Sequence, residues 1–276
     1  ILVLGVVDQP MDVGGGVAMD IAAGAMPQIS DCRLLGGSGA STWAGIPGSS
    51  GVLIEDASPS LQRCHIAGGD GTSTVDATPG SIGVDVHKSS DPVIEDCFVD
   101  GGSGEHDGTT GSALGSVAIW WETLPLETVG GIIQHTSLYG GTGTVFGKGG
   151  TGASALRFVD GNLMVTASTI DAGAPVRTTQ VSHGEGIWIA GSNDSVVIIE
   201  RSRIYGGALS GDNAMTRAVG LFGSGVYLLR NNLIYGGNKE FAWGSDSGAR
   251  AMRIGGGAFD AYVVYNTIYA AAHASP

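Results

Sequence analysis

Three segments of the chain repeat one pattern: PQISDCRLLGG at residues 27–37, PSLQRCHIAGG at 59–69 and PVIEDCFVDGG at 92–102. Each segment has one aliphatic residue three positions before its cysteine and another two positions after it, and each ends in Gly-Gly. Weaker copies follow as GIIQHTSLYGG, LMVTASTIDAG, VIIERSRIYGG, YLLRNNLIYGG and YVVYNTIYAA. A repeat of about 33 residues indicates a protein built from stacked copies of one unit.

The copies align on two aliphatic columns that flank the cysteine position. The first column is Ile29, Leu61, Ile94, Ile133, Val165, Ile199, Leu229 and Val263, and the second is Leu34, Ile66, Val99, Leu138, Ile170, Ile204, Ile234 and Ile268. Because the offset between the columns is odd, a straight strand would place them on opposite faces. We therefore expect a corner between them, and Asn231, directly before the column position Asn232, is a residue that such corners favour.

A further strand precedes each copy and alternates inward and outward residues. Its inward pairs are Val52/Ile54, Val84/Val86, Ile119/Trp121, Leu156/Phe158, Ile187/Ile189, Val219/Leu221 and Met252/Ile254, preceded by Val17/Met19. Each repeat then holds three short strands, a Gly-Gly turn and a variable loop. No repeat can bury its apolar face alone, so the copies are expected to stack as a parallel solenoid, about 4.8 Å apart.

This arrangement resembles the right-handed parallel β-helix of the pectate-lyase-like superfamily, in its bacterial surface and secreted members. The phrase RNNLIYGG at residues 230–237 is most similar to the coil signature of that superfamily. We therefore predict an all-β, right-handed parallel β-helix solenoid of about eight coils, in a single domain over residues 1–276. For function the resemblance implies little, because the superfamily contains lyases, hydrolases, phage tailspikes, adhesins and passive surface proteins.

The composition narrows the choice of partners. The 276 residues include 49 glycines, and 26 acidic against 13 basic residues give a net charge of −13. Nucleic-acid binding requires clustered basic residues, which the sequence lacks, and no apolar run is long enough for membrane insertion. The acidic, sparsely charged composition favours an extracellular or cell-surface protein. The sequence begins at Ile1 without a signal peptide, so we expect a processed product or a segment of a longer chain.

The cysteine column predicts a ladder of inward-facing thiols. Cys32, Cys64 and Cys97 would lie about 4.8 Å apart in successive coils. Three buried free thiols are one prediction. A disulfide between two neighbouring coils is the alternative, although in-register parallel strands fit its dihedral angle poorly. A metal site is not expected, because no histidine column accompanies the sulfurs.

A second column, three positions after the cysteines, is rich in tyrosine. Tyr205, Tyr235 and Tyr269 are expected to form an outward ladder in consecutive coils. In the structural interpretation, stacked aromatic rings stabilise neighbouring coils. In the functional alternative, the ladder is a sugar-binding platform or a contact surface for another chain.

The outer face of the first strand of each repeat is the predicted binding site. It carries Trp120 and Trp188 between the inward pairs, together with His87 and Arg253. Tryptophan packs on sugar rings, and arginine pairs with uronate carboxylates in bidentate geometry. These four residues are the predicted ligand-binding set for a polysaccharide or cell-surface glycan, and the resemblance points to the same face, where β-helix polysaccharide lyases carry their active site. The alternative is that these are ordinary solvent-facing residues of an amphipathic sheet.

Catalysis on this face would involve Asp85, Glu122 and Arg157, which fall on three consecutive coils and could converge. A lyase similar to those of the superfamily would use Arg157 as the base beside carboxylates that hold calcium, whereas a hydrolase would use paired carboxyl groups. The sequence lacks the paired-Asp and His-Gly motifs of polygalacturonases and has no clear match to the arginine motif of pectate lyases. This departure leaves the enzyme question open and favours a protein without catalytic activity, cofactor or metal.

The sequence therefore predicts an extracellular or cell-surface structural or adhesive module, non-catalytic and able to bind carbohydrate. The first alternative is a polysaccharide lyase or glycoside hydrolase that acts on an acidic polysaccharide. The second is a self-assembling subunit that associates end to end or laterally, because neither end of the predicted solenoid has a recognisable cap.

Overall fold

A computed structural model of the chain shows an all-β solenoid of parallel strands, with no helix in the part of the chain that it describes. The described residues are 2–4, 16–22, 24–41, 47–74, 78–106, 114–122, 130–145, 151–174, 176–177, 183–192, 194–209, 215–239, 248–257 and 259–270. Most of the predicted variable loops lie outside these ranges.

Three long sheets run along the solenoid; each coil contributes one strand to each sheet, and the strand Leu2–Leu4 adds a ninth to sheet 3 ahead of coil 1. Sheet 1 consists of Val17–Ala22, Ser49–Glu55, Pro79–His87, Leu114–Glu122, Thr151–Phe158, His183–Gly191, Met215–Gly223 and Gly248–Ile254, whose order defines coils 1 to 8. Sheet 2 consists of Gln28–Ser30, Ser60–Gln62, Val93–Glu95, Gly130–Gln134, Asn162–Thr166, Val196–Glu200, Gly225–Arg230 and Phe259–Val264. Sheet 3 consists of Leu2–Leu4, Arg33–Leu35, His65–Ala67, Phe98–Asp100, Ser137–Tyr139, Thr169–Asp171, Arg203–Tyr205, Leu233–Tyr235 and Thr267–Tyr269.

The predicted aliphatic columns pair in register from coil to coil. Leu61, for example, lies opposite Ile29 on one side and Ile94 on the other. Coils 2 to 7 bury both columns and the inward pairs of sheet 1 completely. Against the prediction of about eight coils, six turns are thus fully buried, and coils 1 and 8 are partly exposed, with Ile268 at 46%. The prediction of a parallel β-solenoid is confirmed.

The corner between sheets 2 and 3 is formed by one residue per coil in the left-handed backbone region. These residues are Asp31, Arg63, Asp96, His135, Ala167, Arg201, Asn231 and Tyr265, with φ between 50° and 56°. A single residue in this region turns the chain sharply enough for both aliphatic columns to face the interior. The predicted corner is confirmed, and it accepts residue types as different as Asn, Arg and Ala.

The residue after each corner carries a hydrogen-bonded ladder through the interior. The side-chain acceptor of each column residue receives the backbone N–H of the column residue in the preceding coil. The pairs are Cys97 with Cys64 at 3.3 Å, Thr136 with Cys97, Ser168 with Thr136 and Ser202 with Ser168 at 3.2 Å each, Asn232 with Ser202 at 2.9 Å, and Asn266 with Asn232 at 2.8 Å. The corner takes these N–H groups out of the sheets, so the small polar side chains satisfy them.

The same ladder explains the cysteines. Cys32, Cys64 and Cys97 are free thiols, so the alternative of a disulfide between coils is wrong. Cys97 accepts the N–H of Cys64 and donates its thiol to the carbonyl of Glu95 at 3.2 Å. Cysteine is thus one of four residue types, with Ser, Thr and Asn, that fill one hydrogen-bonding role in different coils.

A fourth strand in most coils was not predicted. It follows the Gly-Gly turn and forms a five-stranded sheet of Ser38–Ser41, Asp70–Ser73, Glu105–His106, Thr144–Val145 and Val176–Arg177, with Ala208–Leu209 and Asn238–Lys239 as a separate pair. Its buried residues include Ser41, Ser73, His106 and Val145. The prediction of a variable loop directly after Gly-Gly was wrong here, and the recurrence of GGSGAS, GGDGTS, GGSGEH and GGTGTV was the available signal.

The predicted inward pair of coil 1 was also wrong by two residues. Met19 pairs with Val52 and Ile21 with Ile54, so the inward pair is Met19/Ile21 and not Val17/Met19. The segment VAMDI has apolar residues at Val17, Met19 and Ile21, so both Val17/Met19 and Met19/Ile21 fit the alternation. Only pairing with the strand Ser49–Glu55 decides between them.

Candidate functional site

The predicted binding face is the outer side of sheet 1, which we call the sheet 1 face. Its central column is Leu53, Asp85, Trp120, Arg157, Trp188, Gly220 and Arg253, paired in register through coils 2 to 8. Two residues further along each strand, His87 pairs with Glu55 on one side and Glu122 on the other. The structure therefore brings all seven predicted site residues to one face.

The two tryptophans of this face hold an arginine between them. The guanidinium carbon of Arg157 lies 4.3 Å from the ring centroid of Trp188 and 5.5 Å from that of Trp120. Both distances are within the range of a cation–π interaction. The side chain of Arg157 is only 12% exposed. The indole faces that were predicted to receive a sugar ring are thus in contact with Arg157.

A buried carboxylate joins this stack to a second arginine. Glu185 accepts a hydrogen bond from Arg157 Nη1 at 3.3 Å through one oxygen and one from Arg217 Nη1 through the other. The side chains of Glu185 and Arg217 are 5% and 7% exposed. Burial lowers the pKa of both arginines, and Glu185 opposes this shift. One carboxylate between two guanidinium groups compensates their burial in the way that buried charges require.

The network continues to the C-terminal coils through Phe222. The ring centroids of Phe222 and Trp188 lie 6.1 Å apart, and the guanidinium carbons of Arg217 and Arg253 lie 5.7 Å and 5.4 Å from the centroid of Phe222. Coils 4 to 8 are therefore linked on this face by alternating aromatic rings and arginines.

At the N-terminal end of the face, a buried aspartate pairs with a partly exposed histidine. His87 Nε2 lies 2.8 Å from Asp85 Oδ1, and Asp85 is 1% exposed. Burial raises the pKa of Asp85, against the effect of the hydrogen bond from His87. Burial alone would lower the pKa of His87, but Asp85, Glu122 and Glu55 together raise it. An exposed Asp85 was predicted from strand alternation, and that prediction was wrong.

The three candidate catalytic residues lie on one face, and each of them contacts a different partner there. Trp120 occupies the coil between Asp85 and Arg157, and its Nε1 donates a hydrogen bond to Glu122 Oε2 at 3.2 Å. Arg157 instead contacts Glu185. Asp85 and Arg157 lie two coils, about 10 Å, apart along the solenoid axis with Trp120 between them, and joint action of the three residues on a substrate stays a prediction.

Glu185 and Arg217 are the parts of this face that sequence reasoning missed. Each lies two residues before the inward pair of its strand, Ile187/Ile189 for Glu185 and Val219/Leu221 for Arg217, outside the columns that alternation assigns to the outer face. The signal was present, because the same position holds Ile82 and Val117 in coils 3 and 4 but Ser154, Glu185, Arg217 and Arg250 in coils 5 to 8.

Within the described ranges, no three His, Cys, Asp or Glu side chains are grouped closely enough to hold a metal ion. The same residues include no helix that could cross a membrane. Comparison of the chain with protein-family models and with curated proteins gives no match.

Proposed function

We propose that the chain is a non-catalytic structural or adhesive module of the extracellular or cell-surface type. The finer assignment of its β-solenoid to the pectate-lyase-like superfamily is part of this proposal. The assignment to this superfamily is supported by the coil phrase RNNLIYGG and by the single corner residue that precedes each position of the hydrogen-bonded ladder.

The observation that carries the proposal is that each candidate catalytic group is already in contact with a neighbouring side chain of the protein. Arg157 lies between two indole rings and against Glu185. Asp85 is paired with His87, and Glu122 accepts from Trp120. A base that abstracts a proton from a sugar must reach it directly. Engagement of Arg157 in a buried network supports a role in holding coils together.

The proposal is tested by incubating the protein with pectate, alginate, xylan and β-glucan, with and without calcium, and following chain length by size-exclusion chromatography. We expect no shortening of any polymer. Cleavage that disappears in Arg157→Ala and persists in the matched control Arg203→Ala, an exposed arginine of sheet 3, would overturn the proposal.

A polysaccharide lyase or glycoside hydrolase remains the second candidate, and the buried Asp85–His87 pair favours it. A carboxyl group with a raised pKa beside an imidazole is the kind of arrangement that general acid–base chemistry uses. Under this alternative, Asp85→Asn abolishes cleavage of an acidic polysaccharide without loss of the fold. Calcium would then be the expected cofactor.

Self-association into fibres stays a third prediction. It is tested by sedimentation at increasing protein concentration.

A further inference from the structure

The outward ends of the sheet 3 strands form a column of carboxylates and aromatic rings. Asp100, Tyr139, Asp171, Tyr205 and Tyr235 pair in register, one from each of coils 3 to 7. Neighbouring members are therefore about 4.8 Å apart along the solenoid axis. The tyrosine ladder predicted from sequence is thus one part of a longer mixed column.

This column is one wall of a groove that runs along the axis. Two adjoining depressions, of about 310 Å³ and about 300 Å³, share Tyr139 and together extend over coils 2 to 7. The Gly-Gly turns form the floor, and residues that follow those turns, such as Ser103, Thr142 and Ala174, line the other side. The glycines of the groove floor include Gly102 and Gly173, whose φ angles are 84° and 86°. Because glycine has no side chain, the backbone at these positions stays uncovered.

The carboxylates of the groove are held in place by its floor. Asp100 accepts the N–H of Gly102 at 2.8 Å, and Asp171 accepts the N–H of Gly173 at 2.9 Å, each through one oxygen. Burial raises the pKa of both groups, and these backbone hydrogen bonds oppose the shift. In each carboxylate the second oxygen remains an acceptor that can receive a hydrogen bond from a ligand.

The chemistry of the lining excludes several ligand classes. Asp100 and Asp171 are two coils apart, about 10 Å, and with Asp70, the third carboxylate of the lining, they form no group of three metal ligands among the described residues. The described lining has no Arg, Lys or His, and its carboxylates would repel uronates. A peptide could not add as a strand, because the backbone at the turns bonds to the next coil, as in Gly140 N–H to Asp171 O.

Half-buried aromatic rings and carboxylate acceptors repeated along a groove suit a chain of hydroxyl-rich rings. Tyr205 and Tyr235 contact each other edge to face, with centroids 6.4 Å apart, so their rings are not stacked flat against one another. Unlike Trp120 and Trp188, Tyr139 and Tyr205 have no ring contact with an arginine among the described residues.

We propose that this groove binds an uncharged oligosaccharide or polysaccharide chain lying along the solenoid axis. Tyr139, Tyr205 and Tyr235 pack against the C–H faces of its sugar rings, and Asp100 and Asp171 accept hydrogen bonds from its hydroxyl groups. The inference deepens the adhesive part of the proposed function and rests on it, and it moves the carbohydrate site from the sheet 1 face to the edge of sheet 3.

The test is calorimetric titration of the protein with cello-, xylo-, manno- and β-1,3-gluco-oligosaccharides. We expect at least one of them to bind. Tyr139→Ala and Tyr205→Ala should each weaken that binding by about threefold to tenfold, the usual effect of one aromatic contact. Asp171→Asn, which keeps an acceptor for Gly173, should weaken it less than Asp171→Ala. Tyr262→Ala, an exposed tyrosine of sheet 2, and Trp120→Phe on the sheet 1 face are matched controls that should bind normally.

Folding of each variant is checked by thermal unfolding, and Tyr205→Phe, which keeps the ring, should retain most of the affinity even if Tyr205→Ala is unstable. Failure of all four neutral series to bind would overturn the inference and leave the non-catalytic module standing. If the protein binds only a glucosamine polymer, and salt weakens that binding, the ligand is charged and the assignment to an uncharged saccharide is overturned. Binding of pectate that is lost in Trp120→Phe would return the site to the sheet 1 face, whereas cleavage of any polymer would overturn the proposed function itself.

Discussion

At the scale of single residues, the corner position decides which side chains can follow it. The left-handed corner turns the next N–H away from the sheets, and only a short side chain with an acceptor can reach it from the following coil. This explains why Cys, Thr, Ser and Asn alternate there without disturbing the repeat. Asn232 shows the role most fully, since it accepts from Ser202 N–H and donates its amide to Ile199 O at 2.8 Å.

Replacing Asn232 with alanine should therefore lower the free energy of unfolding by about 2–4 kcal/mol, because a buried N–H and a buried carbonyl lose their partners. Urea denaturation followed by circular dichroism measures this loss. Asn266→Ala, in the partly exposed coil 8, is the matched control and should cost less because water can replace the amide. Equal, small losses in both variants would show that the ladder contributes little.

At the scale of the strand, the interior packs around a few large side chains that fix where glycine must lie. A side chain at Gly131 in sheet 2 would place its Cβ 1.8 Å from the Cη2 of Trp121, which is fully buried. The nearest atom to a Cβ at the neighbouring Gly130 is Asn162 Cβ, at 3.1 Å. Gly131→Ala should therefore destabilise the protein by about 1–3 kcal/mol, the usual cost of overpacking a core.

Gly130→Ala is the matched control for this variant, one residue away on the outer side of the same strand. It should change the melting temperature much less than Gly131→Ala. If Gly131→Ala were tolerated as well as Gly130→Ala, Trp121 would have to occupy another rotamer than the one described here.

The Asp85–His87 pair predicts how one part of sheet 1 responds to pH. The pKa of His87 is raised above its ordinary value of 6.5, and burial raises that of Asp85, so the folded pair binds more protons than the unfolded chain. The contribution of His87 to the free energy of unfolding is therefore fully present below pH 6.5, and it is lost as the pH rises through the raised pKa of His87. Between about pH 6 and about pH 8, the stability of the native sequence relative to His87→Gln should fall, as measured by urea denaturation. A difference that stays constant or grows with pH would contradict the assigned shifts.

Much of this strand-level order could be predicted from the sequence, and the exceptions have physical causes. Burial of Leu61, Ile94 or Ile204 follows from stacking alone, since each coil repeats the environment of the last. Burial of Asp85 does not, because alternation assigns it to the outer face, and its low exposure arises where His87 and the large side chain of Trp120 lie beside it. Pairing of Arg157 with Glu185 could not be predicted either, since it joins two columns that alternation treats as unrelated.

At the scale of the whole molecule, the solenoid has two different long surfaces. The sheet 1 face is a network of rings and charges that contact one another across coils 4 to 8, whereas the described lining of the groove beside sheet 3 consists of tyrosines, carboxylates, glycines and other small residues. A stack whose coils touch only their neighbours gains stability from every contact between coils. On this account the arginines of sheet 1 are present to hold coils 4 to 8 together.

The most direct test of that account is the free energy of unfolding of Arg157→Ala, compared with the native sequence and with Arg203→Ala. We predict a loss of about 3 kcal/mol for Arg157→Ala, because Glu185 loses one of its two buried partners and both indole rings lose the guanidinium. Arg203→Ala should be close to neutral. An unchanged or increased stability of Arg157→Ala, as expected for a residue kept for chemistry at a cost to the fold, would contradict the account.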